Sequence, residues 1–197
     1  MMKKVIFSTE LTPSNEGLRN HILSKLNKYK NTKECNLIDI GCGNGRFAVL
    51  LHDFVKSYSG IDPDKEYLLL ANREKKKRKL KNVTFKLGSA GNISFDKKFD
   101  IVLYTFSFHF IKEFNEAMKE LSRITKDDSI ILIVDPSENK NNWSDPRLNK
   151  NSPLYVKEMR NKKIIQLKRA RKYLESQKQF KIIDFEKSIT NFWTLKK

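Results

Sequence analysis

The sequence predicts a doubly wound α/β fold, in which helices cover both faces of a mostly parallel, seven-stranded sheet with an antiparallel C-terminal edge hairpin. Short apolar runs typical of strands alternate with amphipathic helical segments along most of the 197 residues. Several runs stop at Gly, Asp or Pro, as buried parallel strands do where they leave a sheet. The length fits a single domain, and the sequence shows neither internal repeats nor a domain linker.

The predicted elements follow one another in a regular order. The first half of the chain is predicted to form, in order, helix 15–30, strand 37–40, a glycine-rich turn, a helix to about 55, strand 58–61, helix 65–79 and strand 83–87. The second half is predicted to form strand 99–106, helix 113–125, strand 129–134, a long loop at 137–153, a helix to about 176 and two close strands in 180–197. Right-handed crossovers then bring the carboxyl ends of the parallel strands to one edge, where such sheets bind ligands.

The charge of the chain admits two interpretations. A net charge of +17 suggests a nucleic-acid partner. Lysine outnumbers arginine 31 to 9, however, as codon bias in an AT-rich genome would produce, and arginine is the preferred residue for bidentate phosphate recognition. The basic run from Arg73 to Lys81 is interpreted as a solvated helix face. The run from Arg160 to Lys172 follows the predicted loop and is the better candidate for an anionic partner.

Composition also excludes several classes of protein. The longest nearly apolar stretch, residues 101–111, is shorter than the roughly 18 residues that a transmembrane helix needs. The N-terminus lacks the apolar region of a signal peptide, so we expect a cytoplasmic protein without a membrane partner. Cys35 and Cys42 cannot build a disulfide framework, and three scattered histidines predict no metal site.

The turn after the first strand carries the strongest functional signal. The segment from Asp39 to Gly45 reads DIGCGNG, in which Gly41 and Gly43 let a ligand approach the backbone without meeting a Cβ atom. Its Gly-x-Gly-x-Gly spacing differs from the dinucleotide motif, and the carboxylate of Asp39 would repel a pyrophosphate. The loop instead suits a ligand with an ammonium group and no phosphate, such as the amino-acid end of S-adenosylmethionine.

A second carboxylate follows the next strand. Asp62 lies about 20 residues beyond the glycine loop, the distance at which such folds place an acceptor for ribose hydroxyls. The alternative interpretation is a purely structural turn with Pro63. Together, Asp39 and Asp62 are predicted to bracket one nucleoside.

With these motifs in order, the chain resembles the class I, Rossmann-like S-adenosylmethionine-dependent methyltransferases, specifically their type 11 or ubiquinone-biosynthesis-like group. The resemblance is carried by LIDIGCGNGRF, GIDPD, FKLGSAGNISF, FDIVLYTFSFHFI and EAMKELSRITKDDSIILIVDP. It covers about residues 35–136, which it identifies as a cofactor-binding core, and implies S-adenosylhomocysteine as the product. Residues 137–176 are then the substrate loop and helix.

The resemblance also implies residue roles. The predicted cofactor contacts are Asp39, Gly41, Cys42, Gly43, Asp62, Pro63, Ser89, Ala90 and Tyr104. Cys42 is expected to contribute its backbone only, and Tyr104 either lines the methionine side or packs in the core. Ser89 stands where the family usually has Asp or Glu to accept from the adenine amino group, so adenine selectivity rests more on the Ala90 N–H. Lys126-Asp127-Asp128 replaces the family's Pro-Gly-Gly turn.

The methyl acceptor is less defined. His109 is a candidate general base, or else a packing and hydrogen-bonding element. Because in-line alignment at roughly 3 to 3.5 Å supplies most of the acceleration of methyl transfer, a base is optional. A candidate apolar acceptor pocket is formed by Phe106, Phe108, Phe110 and Trp143. The sequence thus favours a small-molecule O, N or C acceptor, and leaves open an RNA-directed enzyme or a non-catalytic cofactor-binding subunit.

Overall fold

The computed structural model describes residues 9, 12–136, 154–186 and 190–197. The helices in these ranges are α1 (Pro13–Asn27), α2 (Arg46–Leu51), α3 (Lys65–Lys77), α4 (Phe114–Ile124) and α5 (Leu154–Ser176). The strands are β1 (Asn36–Ile40), β2 (Ser57–Asp62), β3 (Val83–Leu87), β4 (Phe99–Thr105), β5 (Thr125–Pro136), β6 (Lys181–Glu186) and β7 (Thr190–Lys196). The predicted loop at 137–153, including Trp143, lies outside the described residues.

All seven strands form one sheet in the order β3-β2-β1-β4-β5-β7-β6. The pairs β1–β2, β1–β4, β2–β3 and β4–β5 are parallel, whereas β7 runs antiparallel to both β5 and β6. The predicted mostly parallel sheet with an antiparallel C-terminal hairpin is therefore confirmed. The structure adds that β7 is inserted between β5 and β6, so that β6 and β3 are the two edge strands of the sheet.

Alternating side chains on the central strands pack into two hydrophobic clusters, one on each face of the sheet. On one face, Ile38 and Val102 join residues of α4 and α5 such as Met118. On the other, Leu37 joins residues of α1 and α2 such as Ile22. Helices on both faces are thus confirmed, because each face of a buried parallel sheet needs an apolar cover.

Three predicted elements have a boundary that was wrong by more than two residues. Helix α1 begins at Pro13, since the Thr12 side chain accepts from the Asn15 N–H, and it ends at Asn27. Helix α2 ends at Leu51 and continues only as a short 3₁₀ turn. Strand β5 begins at Thr125: the pairs Phe99–Thr125 and Ile101–Ile130 leave residues 126–129 opposite Asp100 alone, so the predicted turn at 126–128 is an irregularity within the strand.

Three further observations concern predictions made from composition and charge. Cys35 and Cys42 are free and buried. In the run from Arg73 to Lys81 most basic side chains are exposed, as predicted for a solvated face. Among the helices in the described ranges, none combines the length and apolarity needed to cross a membrane.

Candidate functional site

A cavity of about 710 Å³ opens where β1, β2 and β4 end. This is the edge at which a doubly wound sheet is expected to bind its ligand. The wall includes Ile40, Gly41, Gly43, Asp62, Pro63, Asp64, Tyr67, Ser89, Ala90, Gly91, Asn92, Tyr104, Phe106, Ser107, Phe110, Ile111, Lys112, Glu113 and Glu116. The structure therefore brings together seven of the nine predicted cofactor contacts, all but Asp39 and Cys42.

The glycine loop is held against the end of β2. Gly41 and Cys42 both donate their N–H to the Ile61 carbonyl, at 2.8 and 2.9 Å. Gly41 has φ +81°, and a Cβ atom there would lie 2.5 Å from the Cβ atom of Ser107. Only glycine satisfies both the positive φ and the close approach, so the loop presents bare backbone to the cavity.

Asp62 connects this loop to the start of α3. One carboxylate oxygen accepts from the Gly43 N–H at 2.8 Å, and the other accepts from the Asp64 N–H at 2.9 Å. The side chain is 7% exposed and lines the cavity. Two backbone donors thus fix the orientation of the carboxylate, which faces the cavity as a hydrogen-bond acceptor.

Asp39 lies beneath the loop rather than in the wall of the cavity. Its carboxylate is fully buried and accepts from the Tyr58 hydroxyl and, at 3.4 Å, from Thr105 Oγ1. The pKa of Asp39 is raised to about 7, mainly by burial; the hydrogen bond from Tyr58 opposes this shift, and the negative charge of Asp62 contributes to it. Asp39 is therefore a buried titratable group that interacts electrostatically with the cavity residue Asp62.

Cys42 is also behind the cavity surface. Its thiol is buried, and burial raises its pKa well above the usual value, so the sulfur stays protonated. It lines a smaller neighbouring cavity of about 60 Å³ together with Arg46 and Phe47. This environment agrees with the expected absence of a nucleophilic role.

Tyr104 combines the two roles that the sequence left open. The ring packs edge-on against Phe108 in the core, with centroids 5.2 Å apart, while the residue also lines the cavity. Its buried hydroxyl has no hydrogen-bond partner among the described residues, and burial raises the pKa of the phenol. A buried hydroxyl without a partner costs free energy, so it is suited to a ligand atom.

The predicted aromatic pocket is divided between the cavity and the core. Phe106 lines the cavity with φ +57°, an uncommon conformation for a bulky residue that recurs at functional sites. Phe110, which is 58% exposed, and Ile111 extend the apolar wall. Phe108 is fully buried and belongs to the core cluster.

His109 is fully buried and does not line the cavity. Its Nδ1 lies 2.9 Å from Asp135 Oδ1, and its backbone N–H donates to Asp135 Oδ2 at 3.1 Å. These contacts tie the 3₁₀ turn Phe108–Phe110 to the end of β5. Of the two roles predicted for His109, the structure supports packing and hydrogen bonding.

The wall residues that sequence reasoning missed include Tyr67, Glu113 and Glu116. Tyr67 and Glu116 lie in the first turns of α3 and α4, and Glu113 immediately precedes α4. The available signal was position alone, because the first turn of each helix that follows a parallel strand faces the ligand edge. Nothing in the local sequence distinguished these residues from other exposed helix residues.

The strand order, the glycine loop after β1 and the carboxylate after β2 together define a Rossmann-like, S-adenosylmethionine-dependent methyltransferase of class I. The profile of a family described as "Methyltransferase domain" matches residues 31–183. The chain belongs to this methyltransferase domain family.

Individual proteins agree with the family. An uncharacterized methyltransferase from Staphylococcus carnosus is 32% identical over 112 residues, which are 56% of this chain and 51% of that protein. A ubiquinone biosynthesis O-methyltransferase from Pelagibacter ubique is 32% identical over 105 residues, 53% of this chain and 43% of its own length. The chain thus spans about half the length of these relatives. A S-adenosylmethionine-dependent methyltransferase structure from Aquifex aeolicus shares the fold, with a TM-score of 0.68, 19% identity and 93% of each chain covered.

Proposed function

We propose that this chain binds S-adenosylmethionine in the 710 Å³ cavity and transfers its methyl group to a small-molecule O, N or C acceptor. The cavity is within the usual size range for small-ligand sites, roughly 300 to 1,000 Å³. The name of the Pelagibacter ubique relative, a ubiquinone biosynthesis O-methyltransferase, supports an acceptor of this class.

One observation favours a small acceptor over RNA: the charged residues that line the cavity are mostly acidic, although the chain as a whole is strongly basic. The charged residues in its described wall are Asp62, Asp64, Glu113, Glu116 and Lys112. Four carboxylates and one ammonium group therefore face the cavity, although the whole chain carries +17. Such a wall attracts a cationic cofactor and repels the phosphates of a nucleic acid.

The residues present fit the cofactor. Asp62 is oriented to accept from the ribose hydroxyls, and Gly41 and Gly43 allow a close backbone approach. The Tyr104 hydroxyl supplies a donor that has no partner among the described residues. Pro63, Ser89 and Ala90 line the same cavity and are assigned to the adenosine part. When bound, the cofactor supplies an electrophilic methyl group on a positively charged sulfur.

The chain's own contribution is orientation and exclusion of water. The apolar surfaces of Phe106, Phe110 and Ile111 are assigned to the acceptor, which they hold in a fixed position. Alignment of the acceptor atom can then supply most of the acceleration. His109 acts on this wall through its neighbour Phe110, whose ring centroid lies 4.1 Å from that of the imidazole.

Cofactor affinity should depend on pH through Asp39. Because burial raises its pKa to about 7, the carboxyl is only partly ionised at neutral pH, and a cationic ligand nearby favours the ionised form. We expect affinity for S-adenosylhomocysteine, which keeps the ammonium group, to rise by up to about tenfold between pH 6 and pH 8. Calorimetry at both pH values tests this. In Asp39→Asn the rise should disappear, and an undiminished rise would assign the effect to another group.

The proposed function is tested by incubating the full chain with methyl-labelled S-adenosylmethionine and, separately, a metabolite extract and total RNA. We expect label in the small-molecule fraction. Label confined to RNA would support the nucleic-acid alternative. Cofactor binding without label in either fraction would support a non-catalytic cofactor-binding subunit.

The basic part of α5 provides a control for the RNA alternative. Arg169 is not substituted in this control, because its guanidinium lies 5.1 Å from the Phe114 ring centroid and donates to the carbonyl of Ile111, which lines the cavity. Lys168 and Lys172 are exposed. In Lys168→Glu/Lys172→Glu we expect small-molecule turnover to be nearly unchanged. A large loss of RNA methylation in this variant, together with a steep salt dependence of RNA binding by the native chain, would indicate that this helix contacts RNA phosphates.

A further inference from the structure

The connection between β3 and β4 forms one wall of the cavity. Ser89 and Asn92 close a tight turn through two backbone hydrogen bonds, from Ser89 N to Asn92 O at 3.0 Å and from Asn92 N to Ser89 O at 3.1 Å. Ala90 and Gly91 stand at the tip of this turn. All four residues line the cavity.

One face of α4 holds this connection in place. The Ile93 N–H donates to Glu120 Oε2 at 2.7 Å, and Arg123 Nη2 donates to the Ile93 carbonyl at 2.8 Å. A Cβ atom added to Gly91 would lie 3.3 Å from the Cβ atom of Glu116. Glu116, Glu120 and Arg123 share a helix face because their spacing is i, i+4, i+7. Contacts along this face therefore fix Glu116 beside the tip of the turn.

The side chains of this wall differ in the hydrogen bonds they can make. The Ser89 hydroxyl and the Asn92 amide can each donate or accept, whereas the Glu116 carboxylate only accepts. Within the described part of the chain, the side chain of Glu116 makes no hydrogen bond or ion pair, and the residue lines the cavity. A purine with a 6-amino group presents a donor, and one with a 6-keto group presents an acceptor. Of these three side chains, only the Glu116 carboxylate, which accepts but cannot donate, discriminates between a 6-amino and a 6-keto group.

We infer that Glu116 selects adenine, its carboxylate accepting a hydrogen bond from the 6-amino group of the cofactor. The inference rests on the proposed function, because it requires the adenosine part to lie against this wall. It makes Glu116 a specificity-determining residue, and it differs from the sequence-based expectation that Ser89 and the Ala90 N–H carry this recognition.

Two ligands that differ at the purine 6-position, and in whether the adjacent N1 carries a hydrogen, test the inference. Calorimetry on the full chain compares S-adenosylhomocysteine with S-inosylhomocysteine, which carries a 6-keto group. We expect the native chain to prefer the adenine ligand by about tenfold, the effect of one charge-assisted hydrogen bond at a partly exposed site. In Glu116→Gln the preference should fall to within about twofold, since the amide can turn its NH₂ group toward a keto oxygen. Adding Ser89→Asp to Glu116→Gln restores an acceptor-only group to the wall and should restore part of the preference.

Matched variants separate a contact from a general charge effect. Glu113→Gln removes the same charge from the same cavity and should keep the adenine preference. Glu116 is exposed, so an unchanged unfolding temperature is expected for Glu116→Gln. A preserved preference in Glu116→Gln, or an equal loss in Glu113→Gln, would overturn the inference. If the native chain binds S-adenosylhomocysteine without preference, the inference fails alone, whereas no binding would contradict the proposed function as well.

Discussion

Replacement of Asp62 by Ala is expected to weaken S-adenosylhomocysteine binding at least tenfold, equivalent to about 1.4 kcal/mol. The carboxylate lines the cavity and also accepts from the Gly43 and Asp64 N–H groups. The substitution therefore removes an acceptor for the ribose hydroxyls and releases two backbone donors that hold the glycine loop to the start of α3. Isothermal calorimetry measures the loss directly.

Two comparisons make the Asp62 result specific. Asp62→Asn keeps the size of the side chain but turns an NH₂ group toward one of the two backbone donors, so it should also lose affinity. Asp53→Asn changes a carboxylate that lies before the amino end of β2, away from the cavity, and should leave affinity unchanged. An unchanged affinity in Asp62→Ala would remove Asp62 from the binding site.

The second large effect is expected in stability: His109→Ala should lower the free energy of unfolding by about 3 kcal/mol. His109 and Asp135 are both almost fully buried, with side-chain exposures of 1% and 2%. Removal of the imidazole leaves a buried carboxylate to which, among the described residues, only the backbone N–H of residue 109 donates. Breaking such a pair is costly because the remaining charge lies in a medium of low polarity. Urea unfolding of both proteins at pH 7 measures the difference.

The pH dependence of this stability loss follows from Asp135. Burial raises the pKa of Asp135, and the hydrogen bond from His109 partly opposes that shift. Without His109 the pKa in the folded state should rise further. A carboxyl whose pKa is raised on folding loses stability as pH rises above its unfolded value, because the unfolded chain ionises first. The deficit of His109→Ala should therefore be largest near pH 7 and smaller near pH 4, where Asp135 is protonated.

A double variant distinguishes this account from simple loss of packing. His109→Ala/Asp135→Ala removes both members of the pair and should be less destabilised than the sum of the single variants. Additive losses would contradict an energetic coupling between the two side chains. Methyl-transfer assays on the folded fraction of His109→Ala add a second measurement: loss of turnover without loss of stability would favour the general-base role predicted from the sequence.

Much of the fold was predictable because its signals are local. Strands β1 to β4 are short apolar runs that stop at Gly, Asp or a polar turn, and strand β3 has the predicted bounds Val83–Leu87. The insertion of β7 between β5 and β6 was not predictable, because pairing partners depend on contacts between distant residues. The start of β5 at Thr125 likewise depends on its pairing with Phe99 across the sheet.

The sequence by itself determined which segments meet at the ligand edge, since the carboxyl ends of parallel strands must lie together. Gly41, Asp62 and Ser89 were identified in this way. Only the tertiary structure decided which side chains face the cavity. In the structure, Asp39 is buried and accepts from the Tyr58 hydroxyl, and His109 is paired with Asp135. Glu116, on α4, lies beside Gly91 at the cavity wall. The physical reason is that a strand end fixes the position of a residue, whereas burial and hydrogen-bond partners depend on elements that pack against it from elsewhere in the chain.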